Sequence, residues 1–410
     1  MDVTCIKCKK VTVVPVELKL VEFACSNCCA LSSYEKNPAG EIIKIYNYIP
    51  DTSCGLNIGQ QGELFGVAYT VTGMLVKRVA GNYYWQEYIL DGPKGERAFL
   101  SESNGHWIFL KEEETKLELS GAPLKVDYHG TYFQLYGKEK TTIAYAEGIF
   151  DYVLPRKQQT MKEYINPPYI ISFEIDENGQ TLFVGEHIAS GTVKKAFNAK
   201  RMPVKVGVGI VQPPVIELGN SVIILAVTAL LLIFSHIFIY RDKVQQNLLT
   251  DTLPISLYAN KPYVSKTFTV TEAASTLRIK LNADVNNSWA YVDIGLVNES
   301  TGAEEYAGKD LEYYHGYEGG ESWHEGSENE EMNLCGVAPG RYHLVFTPQK
   351  APDDGTTTTI NIDVTRNPPS KRNVVIPIIF MALLGLGLFY WDRYNETKRW
   401  EDSDYSPYNE

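Results

Sequence analysis

Two apolar runs interrupt a chain that otherwise alternates. Val222 to Ile239 and Val374 to Trp391 each hold eighteen residues with no formal charge. At about 1.5 Å per residue, a helix of that length reaches roughly 27 Å, close to the hydrocarbon thickness of a bilayer. Lipid offers backbone N–H and C=O groups no partners, so both runs predict transmembrane helices, over 222–240 and 374–391. Tyr240 and Arg241 close the first and Tyr390 and Trp391 the second, residue types suited to the membrane interface. Pro377 lies near the start of its run, where a missing N–H costs least. Gly385 and Gly387 leave room for a neighbouring helix. Ser235 and His236 fall in the last turns of the first run and are expected at headgroup depth rather than on a proton path.

Elsewhere the pattern has period two. Leu277, Ile279 and Leu281 share one strand face, as do Val292, Ile294 and Leu296, then Tyr342, Leu344 and Phe346, then Ile360, Ile362 and Val364. Such alternation predicts an antiparallel β-sandwich over 245–370. The segment Val337–Leu344 resembles one found in bacterial extracellular jelly-roll and prepeptidase-type sandwiches. Residues 55–205 also read as β-rich. LFGVAYTVTGMLVKRV, NYYWQEYILD and HWIFLKEE are followed by strand candidates at Thr131–Tyr136, Thr141–Gly148, Ile170–Ile175 and Gln180–Val184, divided by Gly, Asn and Asp. Tyr88–Asp91 and Ala98–Leu100 parallel Phe173–Asp176 and Leu182–Val184, with Gly-marked strand pairs upstream around 66–73 and 130–148. Two copies of a small meander are expected.

Residues 1–35 carry different chemistry. Cys5 and Cys8, sixteen residues, then Cys25 and Cys28 form two C-x2-C pairs at the separation of a zinc ribbon. VTVVPVELKLVEF between them suits two short strands. Four thiolates leave a metal no open position for water, so a structural zinc is expected, with Cys29 as a less suitable substitute for Cys28. Reduced thiols persist in the cytosol, which places this end in the cytoplasm. Lys7, Lys9 and Lys10 are expected to be a solvated edge. Cys54 and Cys335 are single cysteines without a nucleophile constellation.

A formal charge of −12 argues against a general nucleic-acid binder. Residues 242–372 hold 19 acidic and 11 basic side chains, the largest share of that excess. Within them, residues 311–333 combine Tyr313, Tyr314, Tyr317 and Trp323 with Glu321, Glu325 and further glutamates. Exposed aromatics beside carboxylates suit a small cationic ligand such as a polyamine. The plainer reading is a solvated acidic loop anchored by Trp323. His324-Glu325 fails as H-E-x-x-H because position 328 is Glu. Asn282, Asp284 and Asn286 lack the Gly and distal Glu of a Ca²⁺ loop. No G-x-S-x-G, P-loop or full dinucleotide fingerprint occurs, and Gly207-Val-Gly209 lacks a third Gly. An enzyme is not expected, and no catalytic residue is named.

The double C-x2-C ribbon followed by WQEYILD, GHWIFL, YHGTYFQLYGKEKTTIAYAEGIFDY and ISFEIDENGQTLFVGEHI resembles the bacterial domain-of-unknown-function family 4178, over roughly residues 1–200. The resemblance carries no activity and no catalytic residues. It implies a small β domain, often beside membrane segments, in bacterial envelope or membrane-stress systems, with a looser association with polyamine-synthesis gene neighbourhoods.

Taken together, the chain is expected to be mainly β: a zinc ribbon, then barrel-like meander repeats, then two transmembrane helices flanking a jelly-roll-like sandwich. MDVTCIKCKK has no apolar run, so no cleavable signal peptide is expected. Two spans put both termini on one side. Lys194, Lys195, Lys200, Arg201 and Lys205 before the first span, with Arg393, Lys398 and Arg399 after the second, nearly balance Arg241, Lys243, Arg366, Lys371 and Arg372 between them. The ribbon therefore decides the expectation: an inner-membrane protein with cytoplasmic termini, residues 242–372 outside, and a short mobile tail over 392–410. Binding, scaffolding or sensing is the expected role, with other membrane or envelope proteins as partners. Alternatives are a non-catalytic docking subunit of a membrane enzyme or transport complex, and a nucleic-acid module acting through the ribbon.

Overall fold

Paired left-handed residues open the two halves of a β-barrel. The computed structural model describes residues 1–408 apart from 52, 80–82, 115, 116, 118, 120, 177, 178, 242, 259, 260, 273 and 369. The chain divides into two units, Met1–Ser221 with Gly385–Glu410, and Val222–Leu384.

The first unit begins with the ribbon strands β1 (Asp2–Thr4), β2 (Val11–Val13), β3 (Glu22–Ala24), β4 (Ala30–Ser33) and β5 (Glu41–Ile45). The first barrel half follows as β6 (Gln61–Leu64), β7 (Val67–Val79), β8 (Tyr84–Asp91), β9 (Arg97–Ser103) and β10 (His106–Glu113). The second is β11 (Lys125–Tyr128), β12 (Thr131–Phe150), β13 (Gln159–Asn166), β14 (Tyr169–Asp176) and β15 (Gly179–Ile188), with helix α1 (Ser190–Phe197) after it. Each half starts with a short strand, a tight turn and a long strand. Phe65 and Gly66 have φ of 51° and 77°, and His129 and Gly130 have 51° and 79°. Positive φ at both central residues matches the right-handed twist of a hairpin. Antiparallel pairings run β7-β8-β9-β10-β15-β14-β13-β12, and the β12–β7 pairing closes these eight strands into a ring.

The repeat is present, but its register differs from the expected one. Matching 88–91 with 173–176 and 98–100 with 182–184 sets β8 against β14 and β9 against β15. Counted from the two matching turns, β9 corresponds to β14 and β10 to β15. Short strands joined by Asp/Gly turns look alike over four or five residues, whereas the left-handed pair fixes the order. Asn82, at the start of the run NYYWQEYILD, and Glu177 and Asn178, between two expected strands, lie outside the described residues.

Ribbon and barrel share one sheet. Strand β3 pairs with the far end of β12, setting Ala24 against Gly148 and Phe23 against Ile149. Gly148 is also opposite Gly73 of β7, so three strands meet there. Its φ is 107°, and a Cβ would stand 2.2 Å from the Thr72 carbonyl oxygen, so only glycine fits. Glu22 ties the junction further, accepting the Leu154 N–H at 3.0 Å and pairing with Arg156.

The second unit holds β16 (Gln246–Pro254), α3 (Ile255–Tyr258), β17 (Tyr263–Val264), β18 (Phe268–Val270), β19 (Ser275–Ala283), β20 (Ser288–Asn298), β21 (Glu304–Glu318), β22 (Glu321–Ser327), β23 (Asn329–Val337), β24 (Gly340–Lys350) and β25 (Thr359–Arg366). One sheet runs β16-β25-β19-β23; the other runs β17-β24-β20-β21-β22, with β18 also on β24. All twelve alternating residues named above are buried and form one core. Period two survives because each sheet has one wet face.

Two long helices join the units: α2 (Leu218–Tyr240), and α4 (Arg372–Arg399) after β25. Both are long and apolar enough to cross a membrane. Helix α4 outruns its apolar run by two turns, because DRYNETKR contains no helix breaker. The residues beyond it are not the free tail expected from their charge. Trp400 is buried with Ile108, Leu110, Ile165, Ile170 and Val211. Its ring lies 5.2 Å from that of Tyr136. The Tyr136 hydroxyl donates to the Arg399 carbonyl at 3.1 Å, and Ser403 donates back to the Tyr136 carbonyl. The Arg399 guanidinium donates to the carbonyls of Gly209 at 2.8 Å and Ile210 at 3.1 Å. A charged tail can dock when its few aromatics find an apolar face and its cations find carbonyls.

Candidate functional site

Each ribbon knuckle is built the same way. The Cys5 N–H donates to the Lys10 carbonyl at 2.9 Å, and the Lys9 N–H to the Cys5 carbonyl at 3.0 Å. Likewise the Cys25 N–H donates to Ala30 at 3.0 Å, and the Cys29 N–H to Cys25 at 2.9 Å. The residue after the second cysteine turns left-handed both times, Lys9 at φ 65° and Cys29 at φ 55°. Cys29 is thus the counterpart of Lys9 and serves the turn.

The knuckles bring Cys5, Cys8, Cys25 and Cys28 together, with all four sulfurs within 4.8 Å of one another. Cys5 and Cys28 stand 3.6 Å apart, as do Cys8 and Cys25. A tetrahedron with metal–sulfur bonds of about 2.3 Å has sulfur–sulfur edges of about 3.8 Å. The cluster can therefore hold a metal ion. Backbone donation from Lys10, helped by Asn27, holds the Cys8 thiol down at about 6. Burial pushes Cys25 up to about 12. Four crowded thiols do not ionise together without a cation, and a bound dication removes that conflict. Val3, Val14, Phe23 and Ile149 pack around the two buried cysteines, so the site is seated on β12.

Most of the aromatic–acidic segment forms the β21–β22 hairpin, which sets four of the six named residues on one face and two on the other. Cross-strand pairs set Tyr314 beside Glu325, Gly316 beside Trp323 and Glu318 beside Glu321 on one face. Tyr313 and Tyr317 fall on the other. Trp323 covers Gly316, where a Cβ would lie 2.9 Å from the indole. Asp284 accepts the backbone N–H groups of Thr358 at 2.9 Å and Thr359 at 3.1 Å and so latches two strands.

Sequence reasoning passes over the barrel interior, a cavity of about 380 Å³. Lys77 of β7 points into it and is buried between Glu87 of β8, at 2.8 Å, and Glu174 of β14. Burial alone would lower the Lys77 ammonium, but Glu174 and Glu87 override it and raise it. Glu163 of β13 lines the same cavity. Burial raises its carboxyl to about 7, with Glu87 pushing the same way and Lys77 opposing. Burial also raises Glu174, against the pull of Lys77. The signal in sequence is parity: Lys77 shares its strand face with Leu75, Glu87 with Trp85, and Glu163 with Met161. Without a known barrel, a charge at that parity looks like an edge.

Residues 57–190 match the family described as Domain of unknown function (DUF4178). The match covers β6 to β15 and leaves out the ribbon. No curated protein matches the chain. Among solved structures, the mosquito-larvicidal Cry4Aa toxin of Bacillus thuringiensis is 10% identical, with 86% of this chain and 52% of that chain covered and a TM-score of 0.18. The insecticidal delta-endotoxin Cry8Ea1 of Bacillus thuringiensis is 7% identical, with 76% and 54% covered and a TM-score of 0.15. The chain spans about half the length of either toxin, and scores this low carry no argument.

Proposed function

From a chain in which a domain of unknown function stands between a four-cysteine ribbon and two apolar helices, we propose a two-span bacterial membrane protein. It is a non-catalytic binding or sensing component of an envelope or membrane-stress system, in the inner membrane. It links a β-sandwich outside to a ribbon and barrel in the cytoplasm. What supports the reading is that one folded unit contains both the residues before α2 and those ending α4. A single body cannot lie on both sides of a bilayer, so the chain between must cross an even number of times. Reduced thiols in the ribbon favour the cytoplasm for that body, and four thiolates suit zinc in a structural role. Its partners are the bilayer and other membrane or envelope proteins, which its soluble parts would dock.

Accessibility labelling tests the arrangement. Single cysteines are introduced by Ser322→Cys and Asp404→Cys in a background carrying Cys29→Gly, Cys54→Ser and Cys335→Ser. An impermeant maleimide applied outside intact cells should label position 322, and position 404 only after lysis. Labelling of both positions from one side would overturn the topology.

A further inference from the structure

The barrel interior has more negative charge than its own cation can balance. Lys77 faces Glu87, Glu163 and Glu174. Arg97 at the wall is committed to Asp91 at 2.8 Å and Asp151 at 2.9 Å. Glu163 has no hydrogen-bond partner among the described residues, although its carboxyl lines the cavity. Buried carboxylates without counter-charge are costly, and the site relieves that cost by keeping a proton or by admitting a cation. A bare metal ion is a poor match. Calcium wants six to eight oxygens around one point, whereas here Trp85, Phe99, Ile108, Leu110 and Phe183 stand among Glu87, Glu112, Glu163, Glu174 and Asp176. An ammonium on an apolar body suits both the charge and the lining, and about 380 Å³ holds a small organic molecule.

We propose that the barrel lumen binds a small alkylammonium ion, with its charged end at Glu163 beside Glu87 and Glu174 and its apolar body against the aromatic and aliphatic wall. The site stands on the barrel alone and is independent of the membrane arrangement. Charged groups acting on Glu163 come from four strands: Lys77 of β7, Glu87 of β8, Glu139 of β12 and Glu174 of β14. The Glu163 carboxyl gives up its proton near 7, so the cation competes with that proton and binds better as pH rises.

The test is calorimetric titration of the full-length protein, in non-ionic detergent, with n-butylammonium, n-butanol and Ca²⁺. Saturable butylammonium binding is expected, at least tenfold tighter than butanol or Ca²⁺. From pH 6 to pH 8 its affinity should rise by about tenfold, following ionisation of a group near 7. Glu163→Gln keeps the shape, and should weaken binding about tenfold at pH 8 and flatten the pH dependence. Leu110→Trp fills the lumen without touching a charge and should abolish binding while the far-ultraviolet circular dichroism is retained. Wild-type protein that binds no butylammonium, binds butanol equally well or prefers Ca²⁺ overturns the proposal, as does a Glu163→Gln variant with unchanged affinity and pH profile.

Discussion

The least obvious residue in the ribbon is Cys29, adjacent to Cys28 and chemically identical to it. Spacing alone leaves Cys28 and Cys29 in competition, and the backbone decides between them. A left-handed conformation costs an ordinary L-residue about 1 kcal/mol, and here Lys9 and Cys29 both bear it so that the knuckles can close. Cys29→Gly is therefore expected to keep one equivalent of metal and to raise the thermal midpoint slightly. Cys25→Ser should lose the metal and unfold the ribbon. Metal analysis of the purified variants checks both, and metal loss in the Cys29 variant would put that thiol among the ligands. The cluster of Cys5, Cys8, Cys25 and Cys28 is legible in the sequence because a knuckle demands local spacing. The lumen acids are not, because Lys77, Glu87, Glu163 and Glu174 meet only after strands far apart in the chain close into a ring.

Among elements, β12 carries the most connections. It runs from Thr131 to Phe150 and pairs in turn with β11, β13, β7 and β3. Gly148 makes the last exchange possible, and its place in TIAYAEGIF gives no hint of that, since a glycine in a strand equally suggests a bulge. Gly148→Ala is expected to destabilise the first unit by on the order of 2–4 kcal/mol, from a forbidden φ and a clash with backbone. Gly137→Ala, in the same strand with open space around its Cβ, is the matched control and should be near neutral. Equal denaturation midpoints for the two variants would remove the three-strand junction from the account. The sandwich strands were readable from alternation alone because each has one wet face. The barrel strands were readable as strands but not in register, since both of their faces are covered and the period blurs.

At the scale of the whole molecule, the N-terminal unit is completed by the C-terminal end of the chain. The bond from Tyr136 to Arg399 spans 263 residues. Trp400→Ala is expected to cost about 3 kcal/mol in the first unit, as for a buried Trp. Tyr394→Ala, at a position 59% exposed on helix α4, should cost little. Pulse proteolysis that follows cleavage within residues 1–221 measures both, and equal resistance would show the tail to be ornamental. Charge content makes residues 392–410 look like a free tail, since hydropathy weighs composition and cannot see that Trp400 and Arg399 have a prepared surface waiting. That surface also sets a sequence of events in biosynthesis. The ribbon and barrel leave the ribosome first, yet Ile108, Leu110, Ile165 and Ile170 lack their cover until Trp400 has been made. A chain that stalls, is cut short or fails to bring its end back displays a greasy face on its oldest part. Quality control can therefore read, on the ribbon and barrel, whether the stretch around Trp400 has arrived.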